Sequence, residues 1–145
     1  MPRLSHLALP LVLASVLAGP AHAALPVGSD APAFTTQASL GGKVFDFKLS
    51  DALKKGPVVL YFYPAAFSKG CTIEAHDFAE AIDKYQALGA TVIGISADDI
   101  ETLNKFSVSE CRSKFAVASD ADKKNHDRLR RHTGLQIRQS HVLCD

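Results

Sequence analysis

Three cysteines, Cys71, Cys111 and Cys144, are the side chains of this 145-residue sequence best suited to redox or nucleophilic chemistry. They are too few and too widely spaced for a disulfide-rich scaffold or a zinc site with four cysteine ligands. Cys71 follows a loop and begins a predicted helix, where unpaired backbone N–H groups and the helix dipole stabilise an anion. This position predicts a reactive thiolate, although an unreactive cysteine buried in the first helical turn would give the same pattern.

Hydrophobic periodicity predicts the elements that position Cys71. Residues 58–63 are apolar on both faces, which indicates a strand in the middle of a covered sheet. Apolar residues then recur at helical spacing from Ile73 to Leu88, and Gly89 ends the helix. The pattern continues with a buried strand at 91–96, a helix from 97 to about 114 and a weaker strand at 115–118. This alternation predicts an α/β fold with parallel strands joined by right-handed crossovers.

Shorter elements are predicted ahead of this unit. Residues 44–49 alternate as a half-buried strand does, and Gly41-Gly42 supplies the turn before it. Ser50 can cap a short helix that runs to Lys55.

Overall charge excludes several classes of protein. The chain carries 16 basic and 15 acidic side chains, and 47% of its residues are hydrophobic. Because a net charge of +1 creates no general attraction for nucleic acid or an anionic membrane, we expect neither partner for the mature protein. The composition is typical of one soluble domain.

The two ends of the chain differ from this domain. Arg3, the apolar run 7–17 and the motif Ala21-His22-Ala23 predict a signal peptide at 1–23, with an uncleaved anchor as the alternative. Cleavage near Ala23 would give a periplasmic or secreted protein. Residues 24–122 form the predicted domain, and the basic, histidine-rich residues 123–145 predict a poorly ordered tail. A basic arm for nucleic acid or lipid is the alternative for this tail.

Pro64 and Ser68 precede Cys71 by seven and three residues, directly after the predicted strand. This arrangement resembles the P-x-x-x-[ST]-x-x-C signature of peroxiredoxins. Gly70-Cys71-Thr72-Ile73-Glu74 is similar to the bacterioferritin-comigratory branch of that family. The resemblance runs from about residue 25 to residue 122 and implies a thioredoxin-like central sheet flanked by helices.

The resemblance also implies a thiol-dependent peroxidase that acts on hydrogen peroxide and alkyl hydroperoxides without a metal or organic cofactor. Cys71 would attack the peroxide and become a sulfenic acid. Ser68 would orient the reaction, Pro64 would shield the thiolate from water, and Glu74 would support the local polar network. Taken singly, Pro64 also fits a strand terminator, Ser68 a helix cap and Glu74 a surface carboxylate.

A sulfenic acid must be resolved by a second thiol. One family location for that thiol, five residues after the attacking cysteine, holds His76 here, which we interpret as an exposed residue. Cys111, predicted to lie late on the following helix, is therefore the candidate, and a disulfide with Cys71 would require local unwinding. The alternative is resolution by an external thiol. A thioredoxin-like protein or a small thiol would supply electrons, and we expect a monomer or a weak dimer.

The tail departs from the family pattern. After residue 122, neither the terminal strands of the family nor the arginine that approaches its thiolate can be recognised, as a truncation or a shifted reading frame would produce. The C-terminal strands are therefore expected to be missing. A non-catalytic remnant of a peroxiredoxin is one alternative function. An exported thiol-disulfide oxidoreductase is another, but it would need a cysteine where Glu74 stands.

Overall fold

The computed structural model describes residues 30–127. The predicted signal peptide, most of the predicted tail and Cys144 lie outside these residues. The described elements are β1 Thr35–Leu40, β2 Lys43–Lys48, α1 Leu49–Leu53, β3 Val58–Phe62, α2 Lys69–Ala87, β4 Thr91–Ser96, α3 Ile100–Ser109 and β5 Ala116–Ser119. Between residues 30 and 127, no helix has the length and apolarity needed to cross a membrane.

The strands form a mixed sheet in the order β2-β1-β5-β4-β3. β3 pairs with β4 and β4 with β5 in parallel, while β1 is antiparallel to both β2 and β5. The predicted strand-helix-strand crossovers and the α/β class are thus confirmed. Because parallel strands end at the same edge of a sheet, the loops after β3, β4 and β5 are neighbours.

The position of β3 differs from the prediction. Within the described residues β3 is the last strand of the sheet, and β4 lies inside it. Both faces of β3 are nevertheless covered, since one core cluster packs against Val59, Tyr61 and Tyr63 and the other against Val58, Leu60 and Phe62. An apolar pattern on both faces therefore indicates that other layers cover the strand above and below. It does not indicate whether strands pair with it on both sides.

The N-terminal hairpin contains a strand that periodicity did not predict. The Gly41-Gly42 turn is confirmed, and both glycines have positive φ angles, 55° and 80°. β1 precedes this turn, but most of its residues are polar or exposed. Ser39 of β1 is fully buried, and its hydroxyl hydrogen-bonds to Asn104 and Ser107 of α3. A buried polar contact of this kind leaves no hydrophobic signal in the sequence.

The second crossover helix is shorter than predicted. α3 ends at Ser109, so Cys111 lies two residues beyond the helix and not late on it. The N–H groups of Glu110 and Cys111 both donate to the carbonyl of Phe106, and this shared acceptor ends the regular helical pattern. The next two residues, Arg112 and Ser113, have left-handed φ angles of 50° and 56°.

The described part of the chain continues past β5 into one helical turn. The buried carboxylate of Asp120 accepts hydrogen bonds from the N–H groups of Asn125 and His126, at 3.0 and 2.7 Å. The first residues of the predicted tail, 123–127, are therefore anchored to the end of β5.

Candidate active site

Cys71 lies where the sequence places it, in the first turn of a long helix. It is the third residue of α2, and only 2% of it is exposed. The loop that leads from β3 to α2 includes Pro64, which is exposed, and Phe67, which has a left-handed φ of 63°. A bulky residue in that conformation is strained, and such strain persists only where the surrounding structure holds it. The loop before Cys71 is therefore a constrained segment.

Ser68 occupies the N-cap position of α2, but its side chain does not cap the helix. Its hydroxyl donates to the carbonyl of Ala65 at 3.1 Å, within the loop. Its own carbonyl accepts the helical bond from Thr72 at 2.9 Å. The hydroxyl thus retains acceptor capacity, and Ser68 lies three residues before Cys71.

Asp98 connects this loop to the neighbouring strand, and the sequence analysis did not identify this residue. Its Oδ2 atom accepts hydrogen bonds from the backbone N–H of Ala66 at 2.6 Å and from the hydroxyl of Ser96 at 2.8 Å. Its carbonyl accepts a bond from Ser119 at the end of β5, at 2.7 Å. One residue therefore connects the loops after β3 and β4 with the end of β5. The sequence signal that could have identified Asp98 is a polar residue two positions after a buried strand.

Aromatic side chains form the apolar surroundings of Cys71, since Tyr63 belongs to its core cluster and Tyr61 packs against that cluster. Tyr61 stacks on Phe78 with ring centroids 4.4 Å apart, and Tyr63 stacks on Phe106 at 5.6 Å. Burial raises the pKa of both tyrosines far above the ordinary value, so both hydroxyls stay protonated. Among residues 30–127, none forms a hydrogen bond of ordinary geometry with the Tyr63 hydroxyl. Ser96 nevertheless lies close enough to lower the pKa of Tyr63 against the effect of burial.

Cys111 is fully buried in the same core cluster as Cys71, and the structure forms no disulfide between them. Burial raises the pKa of the Cys111 thiol to about 12, and the negative charge of Glu110 adds to this rise. A thiol with this pKa is almost entirely protonated at neutral pH. Cys111 is therefore not a nucleophile in the arrangement that the structure shows.

A hydrogen bond and an ion pair connect the residues on either side of Cys111 to α2. Nε2 of His76 lies 2.9 Å from Oε2 of Glu110, and Nη1 of Arg112 lies 3.2 Å from Oε1 of Glu80. The interpretation of His76 as an exposed residue is wrong, because it is half-buried and its ring is hydrogen-bonded to Glu110. The guanidinium of Arg112 pairs with Glu80.

Glu74, the remaining predicted site residue, is half-buried three residues after Cys71 on α2. Its negative charge lies close enough to Tyr61 to contribute to the raised pKa of that tyrosine. The structure thus places Ser68, Cys71 and Glu74 at one end of α2, while Cys111 reaches the same core cluster from the end of α3.

Comparison with known proteins identifies a family and confirms the thioredoxin-like fold. The AhpC/TSA family model matches residues 27–143. The bcp peroxiredoxin of Helicobacter pylori is 40% identical over 100 residues, which cover 69% of this chain and 62% of that protein. For the chloroplastic peroxiredoxin Q of Triticum aestivum the identity is 41% over 97 residues, or 67% of this chain and 42% of that protein. This chain therefore spans less than two thirds of either relative.

A solved structure supports the same relationship. Peroxidoxin BcpB from Mycobacterium tuberculosis aligns with a TM-score of 0.63 at 31% identity, over 70% of this chain and 64% of that one. The mixed sheet flanked by helices is therefore the architecture that peroxiredoxins share.

Proposed function

Since the chain belongs to the AhpC/TSA family, we propose that it is a thiol-dependent peroxidase that reduces hydrogen peroxide and alkyl hydroperoxides at Cys71. The observation that carries the proposal is the position of Cys71 as the third residue of α2, directly after the Pro64–Ser68 loop. The thiolate sulfur attacks one peroxide oxygen, and the O–O bond breaks. That oxygen stays on sulfur as a sulfenic acid, and the other leaves as water or an alcohol after taking up a proton.

The residues around the thiol have separate roles in this proposal. The Ser68 hydroxyl accepts a hydrogen bond from the peroxide and holds it in line with the sulfur. Backbone N–H groups in the first turn of α2 stabilise the negative charge that develops on the leaving oxygen. Pro64 has no N–H group and limits the access of water to the thiolate, and Glu74 supports the polar groups of the first turn.

We propose that Cys111 resolves the sulfenic acid. Its thiolate attacks the sulfur of Cys71, a disulfide forms, and the sulfenic oxygen leaves as water. Burial and the raised pKa support a step in which Cys111 first leaves the core, since a protonated, enclosed thiol attacks slowly. A thioredoxin-like dithiol, or a small thiol, then reduces the disulfide and returns both cysteines to their thiol forms.

The test is the consumption of hydrogen peroxide by the full chain in the presence of a dithiol reductant. We expect saturable turnover in the wild-type chain and none above that of a free thiol in Cys71→Ser. In Cys111→Ser we expect the first peroxide to be reduced at the wild-type rate and later turnovers to slow. A wild-type chain no faster than a free thiol would overturn the peroxidase proposal.

We also propose that residues 1–23 direct export to the periplasm, which the predicted signal-peptide pattern supports. Expression of the full chain in a bacterial host, followed by fractionation and mass spectrometry, tests this proposal. A periplasmic product beginning at Ala24 is the expected result. An intact N-terminus in the cytoplasmic fraction would contradict it.

A further inference from the structure

Cys111 lies between two residues that are both bonded to α2. Glu110 pairs with His76, and Arg112 pairs with Glu80. His76 and Glu80 are four residues apart, so they lie on the same face of α2, one turn from each other. The segment that carries Cys111 is therefore attached to α2 on both sides of the thiol.

The backbone of this segment is held in an unfavourable conformation. Arg112 and Ser113 are consecutive residues with left-handed φ angles, which residues other than glycine rarely adopt. Two hydrogen bonds help to hold them, from the Ser113 N–H to Ser107 and from the Lys114 N–H to Cys111, both at 2.9 Å. Because such a conformation persists only while its surroundings enforce it, the segment relaxes once its attachments break.

We propose that these two contacts, the His76–Glu110 hydrogen bond and the Glu80–Arg112 ion pair, form a clasp that keeps Cys111 in the core and sets the rate at which it is released to meet Cys71. The inference rests on the proposed role of Cys111 as the resolving thiol. Once the clasp opens, the released thiol ionises and attacks the sulfenic sulfur of Cys71, as described above. The only oxidant required is the peroxide that formed the sulfenic acid.

The clasp also determines the fate of the sulfenic acid. While it is closed, Cys71 remains a sulfenic acid, and a second peroxide molecule can oxidise it to a sulfinic acid. Opening competes with this second oxidation. A tighter clasp therefore favours sulfinic acid, and a weaker one favours the disulfide. Glu80 and Arg112 are largely exposed, with 67% and 45% side-chain exposure, so salt weakens that half of the clasp.

The experiment follows the disulfide between Cys71 and Cys111 after one equivalent of hydrogen peroxide, by acid quenching and mass spectrometry of the full chain. The variants are Glu80→Gln, Glu110→Gln and the double substitution. Asp51→Asn is the matched control, because it removes another ion pair, Lys54–Asp51 at 2.8 Å, on α1. Each single clasp variant is expected to form the disulfide about two- to fivefold faster, the range that partly exposed ion pairs support.

Three further readouts separate release of the thiol from general destabilisation. Thermal melts show whether each variant is folded, and Asp51→Asn should form the disulfide at the wild-type rate. Under excess peroxide, the double variant should accumulate less sulfinic acid than the wild type. Raised salt should accelerate disulfide formation in the wild type and have little effect in the double variant. The salt effect needs no substitution, so it tests the clasp even if a variant fails to fold.

Two results would overturn the inference, and they differ in which of the other proposals remain valid. If folded clasp variants and raised salt leave the rate unchanged or lower it, the clasp is wrong, and the roles of Cys71 and Cys111 remain. If the wild-type chain forms the sulfenic acid at Cys71 but no disulfide with Cys111, resolution by Cys111 and the clasp fall together. The peroxidase proposal survives that second result.

Discussion

The two described cysteines lie at opposite ends of helices, and this difference supports the separate roles proposed for them. Cys71 is the third residue of α2, where the N-terminal N–H groups favour a negative charge. Cys111 follows the last residue of α3 by two positions, beside the carbonyl end of that helix and next to Glu110. Both are buried in one core cluster. Burial alone therefore does not distinguish the two proposed roles, whereas the helix end beside each thiol supports them.

The segments that carry the two thiols are also held differently. The loop before Cys71 is anchored by the carboxylate of Asp98 through a bond to backbone at 2.6 Å. The turn that contains Cys111 is anchored by side chains on both of its flanks. The first loop is joined to the neighbouring strand by this short bond, whereas the Cys111 turn combines backbone bonds of its own with pairs of long, partly exposed side chains, which break and re-form readily. The comparison indicates a fixed site for attack and a releasable site for resolution.

Trapping of the sulfenic acid with a dione reagent is the strongest test of this division. After one equivalent of hydrogen peroxide, Cys111→Ser should carry the adduct on Cys71 in most molecules, because the sulfenic acid has no internal partner. Cys71→Ser should carry essentially none, because the Cys111 thiol is enclosed and protonated. Mass spectrometry of peptides locates the adduct. Equal labelling of the two variants would remove the distinction between the thiols.

Replacement of Ser68 tests whether the site around Cys71 is organised for peroxide. Ser68→Ala should lower kcat/KM for hydrogen peroxide by about 10²-fold, the usual cost of losing one placed hydrogen-bonding group. Ser68→Thr keeps the hydroxyl and should retain most of the activity. Stopped-flow measurement of single-turnover oxidation gives both values. If Ser68→Ala and Ser68→Thr have equal activity, the Ser68 hydroxyl takes no part in peroxide reduction and serves only its bond to Ala65 within the loop.

The pH dependence of stability tests the environment of Cys111. Its pKa rises from 9.0 to about 12 on folding, so the folded state holds its proton while the unfolded state loses it. This contribution to stability is complete below pH 9 and is lost as the pH rises towards 12. At pH 10.5 the loss of this contribution should lower the free energy of unfolding by about 2 kcal/mol, from 1.5 pH units at about 1.4 kcal/mol each.

Urea unfolding at pH 7 and pH 10.5 measures this loss, with Cys111→Ala as the comparison. Tyr61 and Tyr63 also have raised pKa values, but both chains contain them, so their effects cancel. The wild type should lose about 2 kcal/mol more than Cys111→Ala between the two pH values. An equal loss in both chains would mean that the Cys111 thiol is hydrated in the folded state.

The sequence predicted the parts of this architecture that depend on regular hydrophobic patterns. The strands β3 and β4, the helix α2 and the position of Cys71 all follow from apolar periodicity and glycine signals. The anchoring residues could not be found in this way. Asp98, His76 and Glu110 act through single hydrogen bonds and ion pairs between segments far apart in the chain, and polar side chains of this kind look the same in a sequence whether bonded or solvated.

The end of α3 was mispredicted for a related reason. Val108 and Cys111 continue a helical spacing of three residues past Ser109, so periodicity favours a longer helix. The carbonyl of Phe106 instead accepts two N–H groups, and the chain turns through two left-handed residues without glycine. The turn is stabilised by contacts with α2, which periodicity along one segment cannot reveal.

The smallest expected effect concerns the anchor of the loop before Cys71. Asp98→Asn keeps an oxygen acceptor but loses the charge that strengthens the bonds from Ala66 and Ser96, and should lower the free energy of unfolding by about 1 kcal/mol. Asp99→Asn is the matched control, because Asp99 caps α3 through Thr102 and asparagine caps helices equally well. Urea unfolding at pH 7 compares the two. If both substitutions leave the midpoint unchanged, the Asp98 charge does not strengthen the anchor, and the contrast between a fixed and a releasable thiol must rest on the clasp alone.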